Sequence, residues 1–180
     1  KYKPAIDLAV SKYNADQTII YRGLNRYEQV SDSVTYVDPT HRKEPRRSAN
    51  TYNYYTLWMD NNPAWAQYPK RGYSLICTTT YWKAQQYGEV RVVIPTVDAK
   101  IGVCPESDLW FSFNKTLPGL EANTLMNWLQ FVFDNQEIPT SPDMSYQDLL
   151  RALDSIDLTQ LKDDPVSKIF KSLGARGAMA

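Results

Sequence analysis

The chain is poor in the residues that most metal-binding and nucleophilic sites use. It has one histidine, His41, and two cysteines, Cys77 and Cys104, in 180 residues. Both cysteines lie in apolar contexts and match no zinc-ligand spacing, so no metal site is expected. A Ser-His-Asp or Cys-His catalytic system would depend on the single histidine in a loop, which argues against both. Two buried free thiols are typical of a reducing compartment and predict a cytoplasmic protein.

Net charge and long apolar runs are also absent. Lys and Arg total 20, as do Asp and Glu, so the formal net charge is zero and a general nucleic-acid-binding surface is not expected. The local basic stretch "HRKEPRR", His41 to Arg47, leaves nucleic acid open as a partner, although a solvated loop is the preferred explanation. No apolar run approaches the length of a bilayer span, so no membrane partner is expected. Neither a G-x-G-x-x-G nor a P-loop pattern occurs, so those modes of phosphate binding are not supported.

What the chain does have is a mixture of helical and strand patterns without regular βαβ alternation. This predicts an α+β fold, in a single domain over residues 1–180 with a helical C-terminal appendage at 140–180. Helices are predicted at 4–12, 51–60, 81–87, 120–133, 145–153 and 165–173, with Ser145 as an N-cap. Strands are predicted at 18–21, 34–37, 74–77, 89–95 and 99–103.

Aromatic residues are plentiful. The chain contains 13 tyrosines, 5 tryptophans and 5 phenylalanines, and many of the tyrosines fall in loop-like stretches. Tyrosine combines a large apolar ring with a polar tip, so this distribution indicates a stacking or recognition surface.

The stretch "IIYRGL" places Arg22 directly after an apolar run and directly before Gly23. An arginine at the end of a buried strand is unfavourable unless its guanidinium group binds a partner. A glycine after it allows a backbone segment or a ligand to come close. This pattern suits a planar anion such as a phosphate or a carboxylate. The alternative is a structural arginine that donates to backbone carbonyls.

Two further motifs follow in order. Thr78 to Thr80 in "CTTT" open a short helical stretch that carries Ala84 and ends at Tyr87 and Gly88, and the strand pattern "EVRVVIP" comes next. With Tyr21, Arg22 and Gly23, these features resemble the ADP-ribosyltransferase fold, in the branch whose signature is Arg, Ser-Thr-Ser, Glu. The resemblance covers roughly residues 18–103. The threonines also have an ordinary explanation, because β-branched residues favour strands.

The resemblance implies two packed, mainly antiparallel sheets that form a cleft for NAD+, with flanking helices. It implies an enzyme that cleaves NAD+ at the nicotinamide–ribose bond and transfers ADP-ribose to a macromolecular acceptor, either protein or nucleic acid. Arg22 would anchor the dinucleotide, and Thr79 would act beside it in catalysis. The remaining cofactor-binding residues would be Tyr21, Gly23, Thr78, Thr80, Tyr54, Tyr55 and Tyr87, the last three as candidates to stack on nicotinamide. The stretches "RRSANTYNYYT" and "PKRGYSLICTTT" also resemble phage sequences, which implies a host cytoplasm.

The glutamate of the signature has three candidates, since no Glu-x-Glu or Gln-x-Glu pattern occurs. Glu121 opens a predicted helix, where the helix dipole explains an acidic residue. Glu137 follows the long helix and precedes "IPT", a segment that can form a short strand as the family order requires. Glu106 lies closer behind the third motif. Glu137 is slightly preferred to Glu106, and its alternative is a polar loop after a helix.

Other functions stay open on the same residues. A non-catalytic binding or virion-structural module on the same scaffold would use the aromatic surface to contact a partner. NAD+ hydrolysis without an acceptor would use the same site. The stretch 48–56, with Tyr54 and Tyr55, either forms one wall of a dinucleotide site or is a helix whose tyrosines pack on the core.

Overall fold

The computed structural model describes residues 3–16, 18–25, 34–47, 52–96, 98–106, 108–112 and 122–179. Within this part the chain forms helices and one antiparallel sheet of two strands, a mixture that is compatible with the predicted α+β class. Two compact units can be distinguished: unit 1 is Lys1–Lys43 with Tyr73–Ile101, and unit 2 is Glu44–Gly72 with Gly102–Ala180. The single domain stays a prediction.

The helices and strands have the following bounds. The helices are α1 (Lys3–Asp16), α2 (Tyr54–Asn61), α3 (Tyr81–Gln85), α4 (Ala122–Asn135), α5 (Tyr146–Asp154) and α6 (Pro165–Met179). The strands are β1 (Tyr21–Leu24) and β2 (Glu89–Val92). Short 3-10 turns lie at Pro39–His41, Pro63–Trp65, Arg71–Tyr73, Leu109–Ser112 and Leu158–Gln160.

All six predicted helices are confirmed, with shifted ends. Of the five predicted strands, 89–95 is confirmed over Glu89–Val92, whereas 18–21 overlaps β1 only at Tyr21, where the observed strand begins. Residues 34–37, 74–77 and 99–103 form no strand, although all three lie in the described part of the chain. An apolar run favours a strand, but a strand also needs a partner to complete its backbone hydrogen bonds. The segment 74–77 leads only to a single bridge at Thr78, and a second sheet is not found among the described residues.

The core of unit 2 is built by four amphipathic helices, α2, α4, α5 and α6. In α4 the apolar residues recur at helical spacing, and Leu129 and Phe133 are fully buried with Leu149 of α5 and Phe170 of α6. Ser145 is confirmed as the N-cap of α5, where its side chain and that of Asp148 form a capping box. The C-terminal helices therefore share one core with α2 and α4.

Asp60, at the end of α2, is a carboxylate buried in unit 2. It is 8% exposed, and its Oδ2 accepts a hydrogen bond from the Gly72 N–H at 2.8 Å. Its Oδ1 is buried without a hydrogen-bond partner in the described part of the chain. Burial raises the pKa of Asp60 above its ordinary value of 3.8, against the lowering effects of the Gly72 and Arg71 N–H groups and of the Lys70 and Arg71 charges.

Asp60→Asn is expected to be at least as stable as the wild type at pH 7. A raised folded-state pKa gives a stabilising contribution that is complete below about pH 3.8 and is lost as the pH rises through the folded-state value. Asparagine cannot ionise but still accepts from Gly72, so the variant should lose this part of the pH dependence. Urea unfolding between pH 4 and 7 measures it.

The control is Asp60→Ala, which leaves the buried Gly72 N–H without an acceptor. It should lower the free energy of unfolding by about 1 to 3 kcal/mol. An asparagine variant that is clearly less stable than the wild type at pH 7 would show that the ionised carboxylate is the favoured form.

Candidate functional site

Arg22 is a buried charged residue on β1 in unit 1. It is 9% exposed, and its Nη1 donates a hydrogen bond to the carbonyl oxygen of Ile76 at 2.9 Å. Buried charged groups need hydrogen-bond partners, and this contact fixes the guanidinium group beside the segment that leads to Thr78. A backbone carbonyl is also the partner expected of a structural arginine.

The threonine motif lies directly beside β1. The Tyr21 N–H donates to the Thr78 carbonyl at 2.7 Å, and the Thr78 N–H donates to the Tyr21 carbonyl at 2.9 Å. The Thr78 hydroxyl accepts from the Thr80 N–H at 3.1 Å, which closes the turn into α3, while Thr79 and Thr80 are exposed. β1 is therefore flanked by the "TTT" segment on one edge and by β2 on the other.

Gly23 is where α3 comes closest to β1. A Cβ atom at this position would overlap the carbonyl oxygen of Ala84 and lie 2.8 Å from Cβ of Tyr87. The next turn is closed by Gly88, whose φ of 126° favours glycine. The backbone of α3, rather than a ligand, is thus the group that Gly23 admits.

The pleat places the motif residues on two faces of the sheet. Directly paired residues share a face and successive residues alternate, so Tyr21, Gly23 and Thr78 lie on the face that α3 covers. Arg22 lies on the other face, opposite Arg91 of β2. No sequence pattern singles out Arg91, because strand alternation indicates its face but only the register shows that it is opposite Arg22.

Exposed aromatic rings lie on α3 and in the turn after it. The ring of Tyr81 makes T-shaped contacts with Tyr21 at 5.6 Å and with Trp82 at 5.5 Å between centroids. Trp82 is 72% exposed and Tyr87 is 66% exposed. Rings in this state can stack on a planar ligand or pack against a partner protein.

Tyr54 and Tyr55 lie in unit 2, and both are buried in its core. The Tyr54 hydroxyl donates to Gln130, and the ring makes a T-shaped contact with Phe133 at 5.5 Å. The Tyr55 ring contacts Trp110 at 6.5 Å, and burial raises the pKa of Tyr55 to about 12. Their role in stacking on nicotinamide stays a prediction.

Glu137 ends α4 in a conformation that favours glycine. Its φ is 54°, and it is the one non-glycine residue with positive φ among the described residues. The Ile138 N–H donates to the Phe133 carbonyl at 2.8 Å and the Glu137 N–H to the Asp134 carbonyl at 3.3 Å, the two hydrogen bonds of a Schellman motif. The side chain is exposed, and "IPT" forms no strand.

Glu106 is half-buried and, like Glu137, belongs to unit 2. Glu121 lies outside the described residues. Arg22 and Thr79 belong to unit 1. The choice of the catalytic glutamate therefore stays a prediction.

The basic stretch has acidic partners. In unit 1, Nδ1 of His41 lies 2.8 Å from a carboxylate oxygen of Asp38. In unit 2, Arg47 forms an ion pair with Asp143. Exposed pairs of this kind contribute little to stability but reduce the local positive charge. A nucleic-acid partner stays a prediction.

Cys77 and Cys104 form no disulfide and are half-buried, whereas the sequence predicts buried thiols. The described residues contain no group of three or more His, Cys, Asp or Glu side chains placed to hold a metal ion. None of the helices in the described ranges is long and apolar enough to cross a membrane. No protein-family model, curated protein or solved structure matches the chain.

Proposed function

We propose that the chain binds NAD+ and is a mono-ADP-ribosyltransferase acting on a protein or nucleic-acid acceptor. In this proposal the fold belongs to the ADP-ribosyltransferase class, with two packed sheets around the NAD+ cleft. NAD+ is the substrate, and no metal takes part.

The observation that supports this proposal is the pairing of Tyr21 with Thr78. Two motifs that are more than fifty residues apart in the chain meet through reciprocal backbone hydrogen bonds of 2.7 and 2.9 Å. The arginine next to this pair is held by the Ile76 carbonyl, so little further ordering is needed when an anion binds. Arginine binds phosphate oxygens with a planar geometry that lysine does not match.

The reaction needs a held dinucleotide and a stabilised sugar cation. The bond between the nicotinamide nitrogen and ribose C1′ breaks, and its electron pair leaves on the nitrogen. A nucleophile of the acceptor then bonds to C1′ and releases its proton. Arg22 would hold the negatively charged diphosphate and Thr79 the ribose hydroxyls, and a carboxylate near C1′ would stabilise the developing positive charge.

The first experiment is NAD+ binding by calorimetry with the wild-type protein, together with a chromatographic assay for nicotinamide release. Binding with release of nicotinamide supports the enzyme. Transfer of labelled ADP-ribose to an acceptor separates a transferase from an NAD+ hydrolase. A folded protein that does not bind NAD+ would contradict the proposal.

Glu137→Gly is expected to slow nicotinamide release strongly while making the protein more stable. Glycine relieves the left-handed conformation at the end of α4, which should raise the free energy of unfolding by about 1 kcal/mol. Loss of the carboxylate should lower the rate by about a hundredfold or more. Opposite changes in stability and rate cannot come from unfolding. Urea unfolding and the nicotinamide assay measure both.

Glu106→Gln is the matched test of the second candidate. If Glu137 is the carboxylate that stabilises the sugar cation, the Glu106→Gln variant should release nicotinamide at a rate close to that of the wild type. A large loss in Glu106→Gln with normal turnover in Glu137→Gly would assign the role to Glu106 instead.

A non-catalytic interaction module is the second candidate, and the exposed rings on α3 and in the turn after it favour it. Trp82 and Tyr87 present large apolar surfaces to solvent, as protein-binding sites do. This candidate predicts a folded protein without NAD+ affinity, so the same calorimetry separates it from the enzyme.

A further inference from the structure

Two arginines occupy facing positions on the side of the sheet opposite α3. Arg22 and Arg91 are Cα partners in the antiparallel register. Directly facing residues have Cβ atoms about 5 Å apart, and like charges at such positions destabilise a sheet. A sheet with two arginines at paired positions is therefore well suited to bind an anion between or beside the two guanidinium groups.

The contacts of Arg91 show which of its groups lacks a partner. Its Nη2 lies 2.6 Å from Oε1 of Glu89, two residues away on the same face. Its Nε is buried and has no hydrogen-bond partner in the described part of the chain. Nε and Nη2 together form the edge of a guanidinium group that can bind two oxygens of one anion. Glu89 thus engages half of this edge and leaves the other half without an acceptor.

The partial exposure of both side chains makes an exchange of anions feasible. The side chain of Arg91 is 31% exposed and that of Glu89 is 63% exposed. Glu89 can therefore turn into solvent when a stronger anion reaches Arg91, at little cost in buried contacts. An incoming phosphate would supply the acceptor that the Nε group lacks.

We propose that Arg91 binds a phosphate oxygen of the dinucleotide diphosphate beside Arg22, and that Glu89 is the internal anion which the ligand displaces. The identity of the ligand rests on the proposed NAD+ function, whereas the anion site itself rests on the β1–β2 register. A buried water molecule would satisfy Nε equally well, and in that case no anion affinity depends on Arg91.

The test is calorimetry at low salt with two probes, inorganic pyrophosphate and ADP-ribose, and with adenosine as the ligand that lacks phosphate. Arg91→Gln should lower the affinity for both phosphate-bearing probes by about tenfold or more, since a charge-assisted hydrogen bond is lost. Glu89→Gln should raise the affinity for both of these probes by about threefold, since it removes a competing negative charge. The matched control is Arg151→Gln, the same substitution at an exposed position of α5 in unit 2, outside the motifs and the basic stretch, and it should leave both affinities unchanged.

The outcomes separate this inference from the proposed function. ADP-ribose binding that is unchanged in Arg91→Gln overturns the inference and leaves the NAD+ function standing. Pyrophosphate binding that depends on Arg91, without ADP-ribose or NAD+ binding, supports the anion site and overturns the NAD+ function. No binding of any probe overturns both. If Arg91→Gln does not fold by circular dichroism, the exposed Glu89→Gln decides, and absence of tighter binding overturns the inference.

Discussion

Arg22→Gln is expected to lower the affinity for NAD+ by about a hundredfold while the protein stays folded, because two or more charge-assisted hydrogen bonds to phosphate would be lost. Nη1 of Arg22 donates to the Ile76 carbonyl at 2.9 Å, and the shorter glutamine keeps a neutral amide donor on the same face of β1 without reaching as far. The substitution therefore removes the positive charge and the planar fork while leaving a polar side chain at this position. Calorimetry with NAD+ and urea unfolding measure the two effects separately.

Arg151→Gln serves as the control, since it removes one positive charge from an exposed position of α5, outside unit 1 and outside the motifs. It should leave NAD+ affinity unchanged. Equal NAD+ affinity in wild type and Arg22→Gln would contradict the proposed function. A large loss of folding stability with no change in affinity would assign Arg22 a structural role, as a residue that satisfies the Ile76 carbonyl.

Gly23→Ala is expected to destabilise the protein by about 3 kcal/mol or more, because the added methyl group overlaps backbone and not a movable side chain. The Cβ atom would collide with the Ala84 carbonyl oxygen and lie 2.8 Å from Cβ of Tyr87. Relief requires α3 to move away from β1, and that movement would also disturb the Tyr21–Tyr81 ring contact. Urea unfolding followed by circular dichroism measures the change.

The matched control for this substitution is Gly177→Ala in α6. There the added Cβ would lie 3.3 Å from Cβ of Leu173, a tight contact that a shift of a few tenths of an ångström relieves, at an exposed position without positive φ. The gain in helix propensity of about 1 kcal/mol opposes this contact, so the free energy of unfolding should change far less than in Gly23→Ala. A Gly23→Ala protein with wild-type stability would show that α3 does not pack on β1 as closely as described.

The local features of the fold could be predicted from the sequence because neighbouring residues decide them. The capping box of α5 needs only Ser145 and Asp148, which are three residues apart. The apolar stripe of α4 follows from helical periodicity alone. The stop after α3 follows from Gly88, whose conformation glycine adopts without strain.

Strand assignments were wrong where an apolar run was taken as sufficient. The segments 74–77 and 99–103 are rich in apolar residues, yet neither forms a strand in the structure. Val103 is 82% exposed and Ile101 is 58% exposed. Hydrogen-bond partners for a strand come from distant parts of the chain, and no local pattern reports whether such a partner is present.

The amino-acid sequence establishes which residue types are available for chemistry: an arginine between an apolar run and a glycine, a threonine triplet, and no cysteine–histidine cluster that could hold zinc. How these residues meet depends on the folded chain. The register of β1 with β2 sets Arg91 opposite Arg22, and the packing of α3 shows that Gly23 admits a helix backbone. The physical reason is that side-chain periodicity is a local property of the chain, whereas strand register and helix packing are settled by contacts between residues far apart in sequence.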